Sequence, residues 1–319
     1  MTHPGPPLGV RSLRAVRVAM VAARCLFAGA VSSTGCQVIA GYREFEPEPP
    51  HPCDPLEAEK MDSQGATMVL TKQPGGSCYY IDKTEVTVAQ YAAFVSHARG
   101  SNVVWGDRCG WKSSPSDPAE EDANHKCTIE AMGEADAFRA TKPIRCVDWC
   151  DARAFCRHVG KSLCGGLTTG GVVEPTDVPD QWGNACSESG LPLPYGDGTT
   201  PESRVCNVGL SDGECLELAR QYRCAPVEVG TFPECRGPHG ALDMLGNVAE
   251  WVLNCGSTSE DKPEAQLCRY RGGSFGDSLK ETTCYTQSIA ARNERLPKLG
   301  FRCCAELTPE ERTVVVTRP

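Results

Sequence analysis

The sequence predicts a disulfide-rich α+β domain of irregular, low regular secondary structure, and three observations predict it. Two segments carry helical periodicity with their own start and stop signals, while the remaining apolar pieces are short and strand-like. Glycine and proline, 32 and 24 residues, punctuate long loops, the longest over residues 98–142 and 165–225. Such loops are uncommon in a compact domain unless cross-links or ions fix them. The 20 cysteines supply the cross-links, and so many thiols persist in a chain of 319 residues only where they oxidise to disulfides.

The chain opens with Arg11, Arg14 and Arg17 ahead of a mostly apolar stretch that ends in small residues before Cys36, with no acidic residue among the first 35. This is the pattern of an export signal, and Arg24 breaks the apolar run too early for a membrane-spanning helix. "SSTGC" resembles a bacterial lipobox with Ser33 in place of the usual leucine, so residues 1–35 are expected to be a lipoprotein-type signal peptide and Cys36 the lipidated residue; an ordinarily cleaved signal is the alternative. The chain is then exported and held to the cell envelope, facing the periplasm or the outer membrane. Residues 36–60, rich in proline and glutamate, read as an extended tether. The body follows over 61–307, with a tail at 308–319.

Removal of four leader arginine charges from the formal −9 leaves −13 on the mature chain, which argues against nucleic acid as a partner. With Cys25 in the leader and Cys36 at the lipid site, 18 cysteines remain, an even number that can all pair.

Within the body, "DKTEVTVAQYAAFVSHA" carries a capping box at Thr87 and Gln90, with Val88, Tyr91, Ala92 and Val95 on one helical face. A second helix fits "DWCDARAFCRHVG", where Asp148 is the N-cap, Trp149, Ala152, Cys156 and Val159 form the stripe and Gly160 stops it. Cys146, Cys150, Cys156 and Cys164 have spacing that suits zinc, but an oxidising compartment favours disulfides. Further on, Gly246-Asn247 signals a turn into a strand with Val248, Glu250 and Val252 on one face and Ala249, Trp251 and Leu253 on the other. A carboxylate among apolar neighbours needs a counter-charge. Calcium held by Glu250, Asn247 and loop carbonyls would supply one; a buried Arg292 or Arg302 would supply another. His3, His51, His97, His125, His158 and His239 show no paired metal spacing. No G-x-S-x-G elbow, Walker loop or H-E-x-x-H is present, so hydrolase, NTPase and zincin chemistry have no support.

Six segments in order, "YYIDKTEVTVAQYAAFV", "KPIRCVDWCDARAFCRHVGKSL", "PYGDGTTPESRVCN", "GALDMLGNVAEWV", "RGGSF" and "AARNERLPKLGFRC", resemble the formylglycine-generating enzyme, or sulfatase-modifying factor, family over residues 66–305. The resemblance implies a C-type-lectin-related α+β fold with bound calcium, Asn247 and Glu250 matching one site and Asn207 a ligand of another. It implies a disulfide between Cys156 and Cys303, and it leaves Cys186 without its usual partner, because that position is Ile289. Family members that oxidise a sulfatase cysteine to formylglycine use two cysteines that resemble a copper(I) clamp. Cys284 matches the second of these, whereas Phe275 to Leu279 holds no cysteine for the first. The resemblance thus leaves one candidate catalytic residue, Cys284, and no copper site. A related branch builds an iron site in ergothioneine synthesis largely from a helical domain that this chain lacks.

The expected function is an extracytoplasmic binding or scaffold module, calcium-stabilised, whose partner is a protein or glycan and whose anchor is the lipid bilayer. The alternatives are an oxidase that converts a substrate cysteine to formylglycine with oxygen through Cys284, and a purely structural envelope protein. Cysteine parity favours the non-enzymatic readings, since a free Cys284 would strand another cysteine. Fold analogy cannot choose, because function resides in the site.

Overall fold

Strand-forming residues at the start of the body, "TMVLTK" and "CYYID", alternate around a tight glycine turn, and they build the first sheet. The computed structural model describes residues 50–316 apart from 100–102, 117–126, 128–139, 167–179, 210–215, 257–261 and isolated one- or two-residue gaps. Strands β1 (Glu59–Met61), β2 (Thr67–Lys72), β3 (Cys78–Asp82), β4 (Ser162–Leu163) and β11 (Cys303–Ala305) form an antiparallel five-stranded sheet in the order β1-β2-β3-β11-β4. A four-stranded sheet holds β7 (Ala249–Cys255), β8 (Leu267–Arg271), β9 (Gln287–Ala291) and β10 (Leu299–Phe301) in the order β10-β7-β8-β9, with β10 parallel to β7. A two-stranded hairpin joins β5 (Leu216–Leu218) to β6 (Gln221–Arg223). The fold is α+β, irregular and disulfide-rich, as the sequence predicts.

Both predicted helices are present. Helix α1 (Val88–Ala98) starts at a complete Thr87–Gln90 capping box, and α2 (Trp149–His158) at a reciprocal one between Asp148 and Asp151. Their apolar stripes meet in a ring cluster: the Phe155 ring centre lies 5.7 Å from Phe94 and 5.4 Å from Phe301 of β10. A third helix, α3 (Gln181–Cys186), lies within the stretch read as loop, and α4 (Pro309–Val316) replaces the expected tail.

The expected boundaries therefore move. Residues 50–60 belong to the body, because Cys53 is bridged to Cys78 and fully buried, and β1 pairs with β2. At the other end, Glu311 of α4 reaches Lys60 at 2.5 Å while Val315 packs against the apolar cluster that includes Leu70 and Tyr80. The leader, Cys36 and the first part of the tether lie outside the described residues, as does His125.

Sixteen described cysteines pair in eight bridges. The zinc spacing is resolved by four of them: Cys146 pairs with Cys127, Cys150 with Cys109, Cys156 with Cys303 and Cys164 with Cys304. Successive side chains on a strand point to opposite faces, so the neighbours Cys303 and Cys304 of β11 reach α2 on one side and the segment after β4 on the other.

Candidate functional site

Strand β7 is the spine of the candidate site. Its alternation holds in space: Ala249, Trp251 and Leu253 enter the cluster with α1 and α2, while Val252 enters a second cluster with Trp182 of α3. Glu250 points toward that second cluster and is almost fully buried. Its carboxylate accepts Arg302 Nε and Nη2, both at 2.7 Å, and Trp182 Nε1 at 2.8 Å. Arg302 sits between β10 and β11 and donates further to the carbonyls of Leu242, at 2.9 Å, and Asp82, at 3.2 Å. Burial disfavours the Arg302 charge, but the Glu250 carboxylate outweighs it and holds the guanidinium firmly protonated.

The turn into β7 requires Gly246. Its φ is +76°, and a Cβ there would lie 2.3 Å from the Asn207 carbonyl oxygen. The close approach brings Asn207 and Asn247 together. The Asn207 amide donates to Asn247 Oδ1 at 3.0 Å, which also accepts the Val227 N–H at 2.9 Å, and the Asn247 amide donates to Glu85 Oε1 at 3.0 Å.

The expected calcium ligands do not fit the ion as arranged. Glu250 is the one charged member of the three, and both of its oxygens are engaged by Arg302 and Trp182. The two asparagines assigned to separate ions bond each other instead. Among the described residues no group of three or more histidine, cysteine or acidic side chains is placed to hold a metal. The counter-charge for Glu250 is Arg302, one of the two arginines considered from the sequence. Arg292, the other, stacks 4.6 Å over the Trp149 ring, and its Nη1 donates to the Arg108 carbonyl at 3.0 Å.

Two further buried carboxyl groups surround this pair and escaped the sequence reading. Burial pushes Asp243 up to about 6, against the pull of the Gly230 N–H that it accepts at 2.6 Å. Burial, then repulsion from Asp243, drives Glu85 well above the ordinary carboxylate range. Glu85 Oε2 has no hydrogen-bond partner among the described residues, and the Asp243 carboxyl repels a charge on Glu85. Burial and that repulsion both favour the protonated form of Glu85.

Cys284, the candidate catalytic residue, is buried and bridged to Cys186 at the end of α3. Its backbone N–H donates to the Pro192 carbonyl at 2.7 Å. Where the first clamp cysteine would stand, Asp277 closes a turn by accepting the Ser274 N–H at 2.7 Å and hydroxyl at 2.8 Å, and its other oxygen meets Lys298 Nζ at 2.8 Å. Beside this turn, Asp277, Thr282, Thr286, Ser288 and Lys298 help to line a cavity of about 200 Å³. The residues do not fit a copper(I) clamp, because a sulfur in a disulfide is not a thiolate ligand.

Helix α3 is fixed by Asp180, which N-caps it through the Gly183 N–H at 2.7 Å and accepts Arg271 Nε at 2.8 Å. Gly272, at φ +87°, leaves room for the Trp182 ring, which a Cβ would meet at 2.9 Å. "RGGSF" therefore seats α3 against the sheet, and α3 delivers Cys186 to Cys284. Cysteine parity was the sequence signal for this bridge; the identity of the partner was not.

The Sulfatase-modifying factor enzyme 1-like domain matches residues 65–307. The formylglycine-generating enzyme of Streptomyces coelicolor is 25% identical over 264 residues, 72% of this chain and 79% of that protein. The formylglycine-generating enzyme of Thermomonospora curvata is 25% identical over 285 residues, 77% and 86% of the two chains. Among solved structures, PvdO from Pseudomonas aeruginosa aligns over 78% of this chain and 98% of its own, with 19% identity and a TM-score of 0.49.

Proposed function

This chain belongs to the sulfatase-modifying factor enzyme 1-like domain family, and from that premise we propose that it is a non-catalytic member, a binding or scaffold module displayed outside the cytoplasm. The observation that carries the proposal is the Cys186–Cys284 bridge. Formylglycine formation by a thiolate pair needs two free sulfurs side by side. Here the position that matches the second is consumed by α3, and the position of the first is a turn closed by Asp277. The sulfur that the resemblance assigns to catalysis is instead part of the framework.

The framework itself relies on cross-links and on the Glu250–Arg302 ion pair for its buried charge. The export signal, with lipidation at Cys36, would place the module on the envelope, and an acidic surface suits a protein or glycan partner better than nucleic acid.

Intact-mass alkylation of the folded chain without reductant tests the proposal, together with turnover, in a separate sample that holds oxygen, copper(I) and a thiol reductant to supply the two further electrons the oxidation requires, of a cysteine-containing sulfatase peptide. The expected result is no label on Cys284 and no aldehyde product. A label that maps to Cys284, or peptide turnover that Cys284→Ser abolishes, would restore the oxidase reading.

A further inference from the structure

Helices α1 and α2 are brought together by two phenylalanines, Phe94 and Phe155, whose ring centres lie 5.7 Å apart. One helical turn beyond each stands a histidine: His97 follows Phe94 by three residues, and His158 follows Phe155 by three. The contact that packs the helices therefore also forces the two imidazoles to meet. Their ring centres lie 4.6 Å apart with the planes inclined by 40°, and the Phe94 ring lies against His158 at 5.4 Å, tilted by 50°. Both histidines are exposed, and neither ring nitrogen has a hydrogen-bond partner among the described residues. Sixty-one positions separate them, so no sequence spacing announces the pair.

We propose that His97 and His158 form a surface chelate for a divalent transition-metal cation of the zinc class, one ring nitrogen from each helix and solvent water completing the shell. Imidazole suits Zn²⁺, Cu²⁺ and Ni²⁺ and does not suit Ca²⁺ or Mg²⁺. The described cysteines offer no competing thiolate, since each is bridged. A bound ion would join the C-terminal ends of α1 and α2 on the face opposite their N-caps.

Zinc is the better probe than copper, since His3, in any sample that retains the leader, would compete for copper through imidazole and neighbouring backbone nitrogens. Calorimetric titration of the full oxidised chain with Zn²⁺ should show one saturable site that His3→Gln leaves in place. His97→Gln and His158→Gln should each weaken that site by about tenfold or more, as loss of one of two ligands demands. Zinc should also raise the melting temperature of the parent chain and of His3→Gln, but of neither helix variant. Both substitutions are at exposed positions, and unchanged melting in the absence of zinc will verify that the variants fold. Zinc affinity unaltered in both variants, or no saturable binding below about 1 mM, would overturn the proposal.

Discussion

Glu250→Gln is the substitution that most directly examines the buried interior. The carboxylate is 1% exposed and Arg302 is 0% exposed, so neither can turn to water when its partner is lost. Glutamine preserves the shape but removes the charge, and it turns an amide N–H₂ toward donors that now occupy both oxygens: Arg302 Nε and Nη2 at 2.7 Å and Trp182 Nε1 at 2.8 Å. Breaking a buried pair by removing one partner costs about 3–5 kcal/mol, because an uncompensated charge remains. For a body of this size each kcal/mol corresponds to about 2–4 °C, so the expected loss is about 6–20 °C. Thermal unfolding followed by circular dichroism at pH 7, without reductant and with EGTA in a parallel sample, reads it out. The parent chain should melt at the same temperature in both samples. A loss of less than about 2 °C in Glu250→Gln would mean that the charge of Arg302 is met by Asp243 or Glu85 instead. A parent chain that EGTA destabilises as much as the substitution does would mean that calcium supplies what is assigned here to arginine.

Further outcomes are open to measurement. Asp243 has a folded-state pKa of about 6, above its unfolded value near 3.9, so the folded state binds the extra proton between those limits. Its contribution is therefore full below about pH 4 and is lost as pH rises through about 6, a change of up to about 3 kcal/mol. Asp243→Asn, which keeps an acceptor for the Gly230 N–H, should flatten that part of the urea-stability profile, and an unaltered slope would place the titration elsewhere. Cys186→Ala should release Cys284 as a free thiol detectable by mass after alkylation under denaturing conditions, at a cost of about 2–5 kcal/mol. If Cys284 remains unlabelled there, another cysteine has taken it. Gly246→Ala should prevent accumulation of folded protein, since both its φ of +76° and the Asn207 carbonyl exclude a methyl group; ordinary expression of a chain with parental melting would refute the strain argument.

What the sequence disclosed and what it withheld divide along the range of the interactions. Helices α1 and α2 were legible to within a residue or two because Thr87–Gln90 and Asp148–Asp151 are three positions apart and make their hydrogen bonds locally. The strand at Glu250 was legible because period two is written in consecutive residues. Helix α3 is six residues long, and its N-cap Asp180 depends on Arg271, 91 positions away, so propensity alone could not announce it. The same distance hid the site. Glu85, beyond the end of β3, and Asp243, ahead of the turn into β7, are 158 positions apart in sequence, and nothing near either residue marks its partner. The arginine that meets Glu250 was likewise hidden by distance: Arg302 lies 52 positions on, between β10 and β11. For Cys284, counting showed that the thiols pair evenly, but connectivity belongs to the folded chain.

The adjoining pair at the end of the chain, Cys303 and Cys304, sets a condition on maturation. Exchange of their partners, Cys156 and Cys164, would require β11 to slip by one position, which would turn Arg302 away from Glu250 and expose Phe301. Correct oxidation of two neighbouring sulfurs therefore proofreads the seating of the whole final strand: a chain that is cross-linked in the right order has, by the same act, neutralised its own centre.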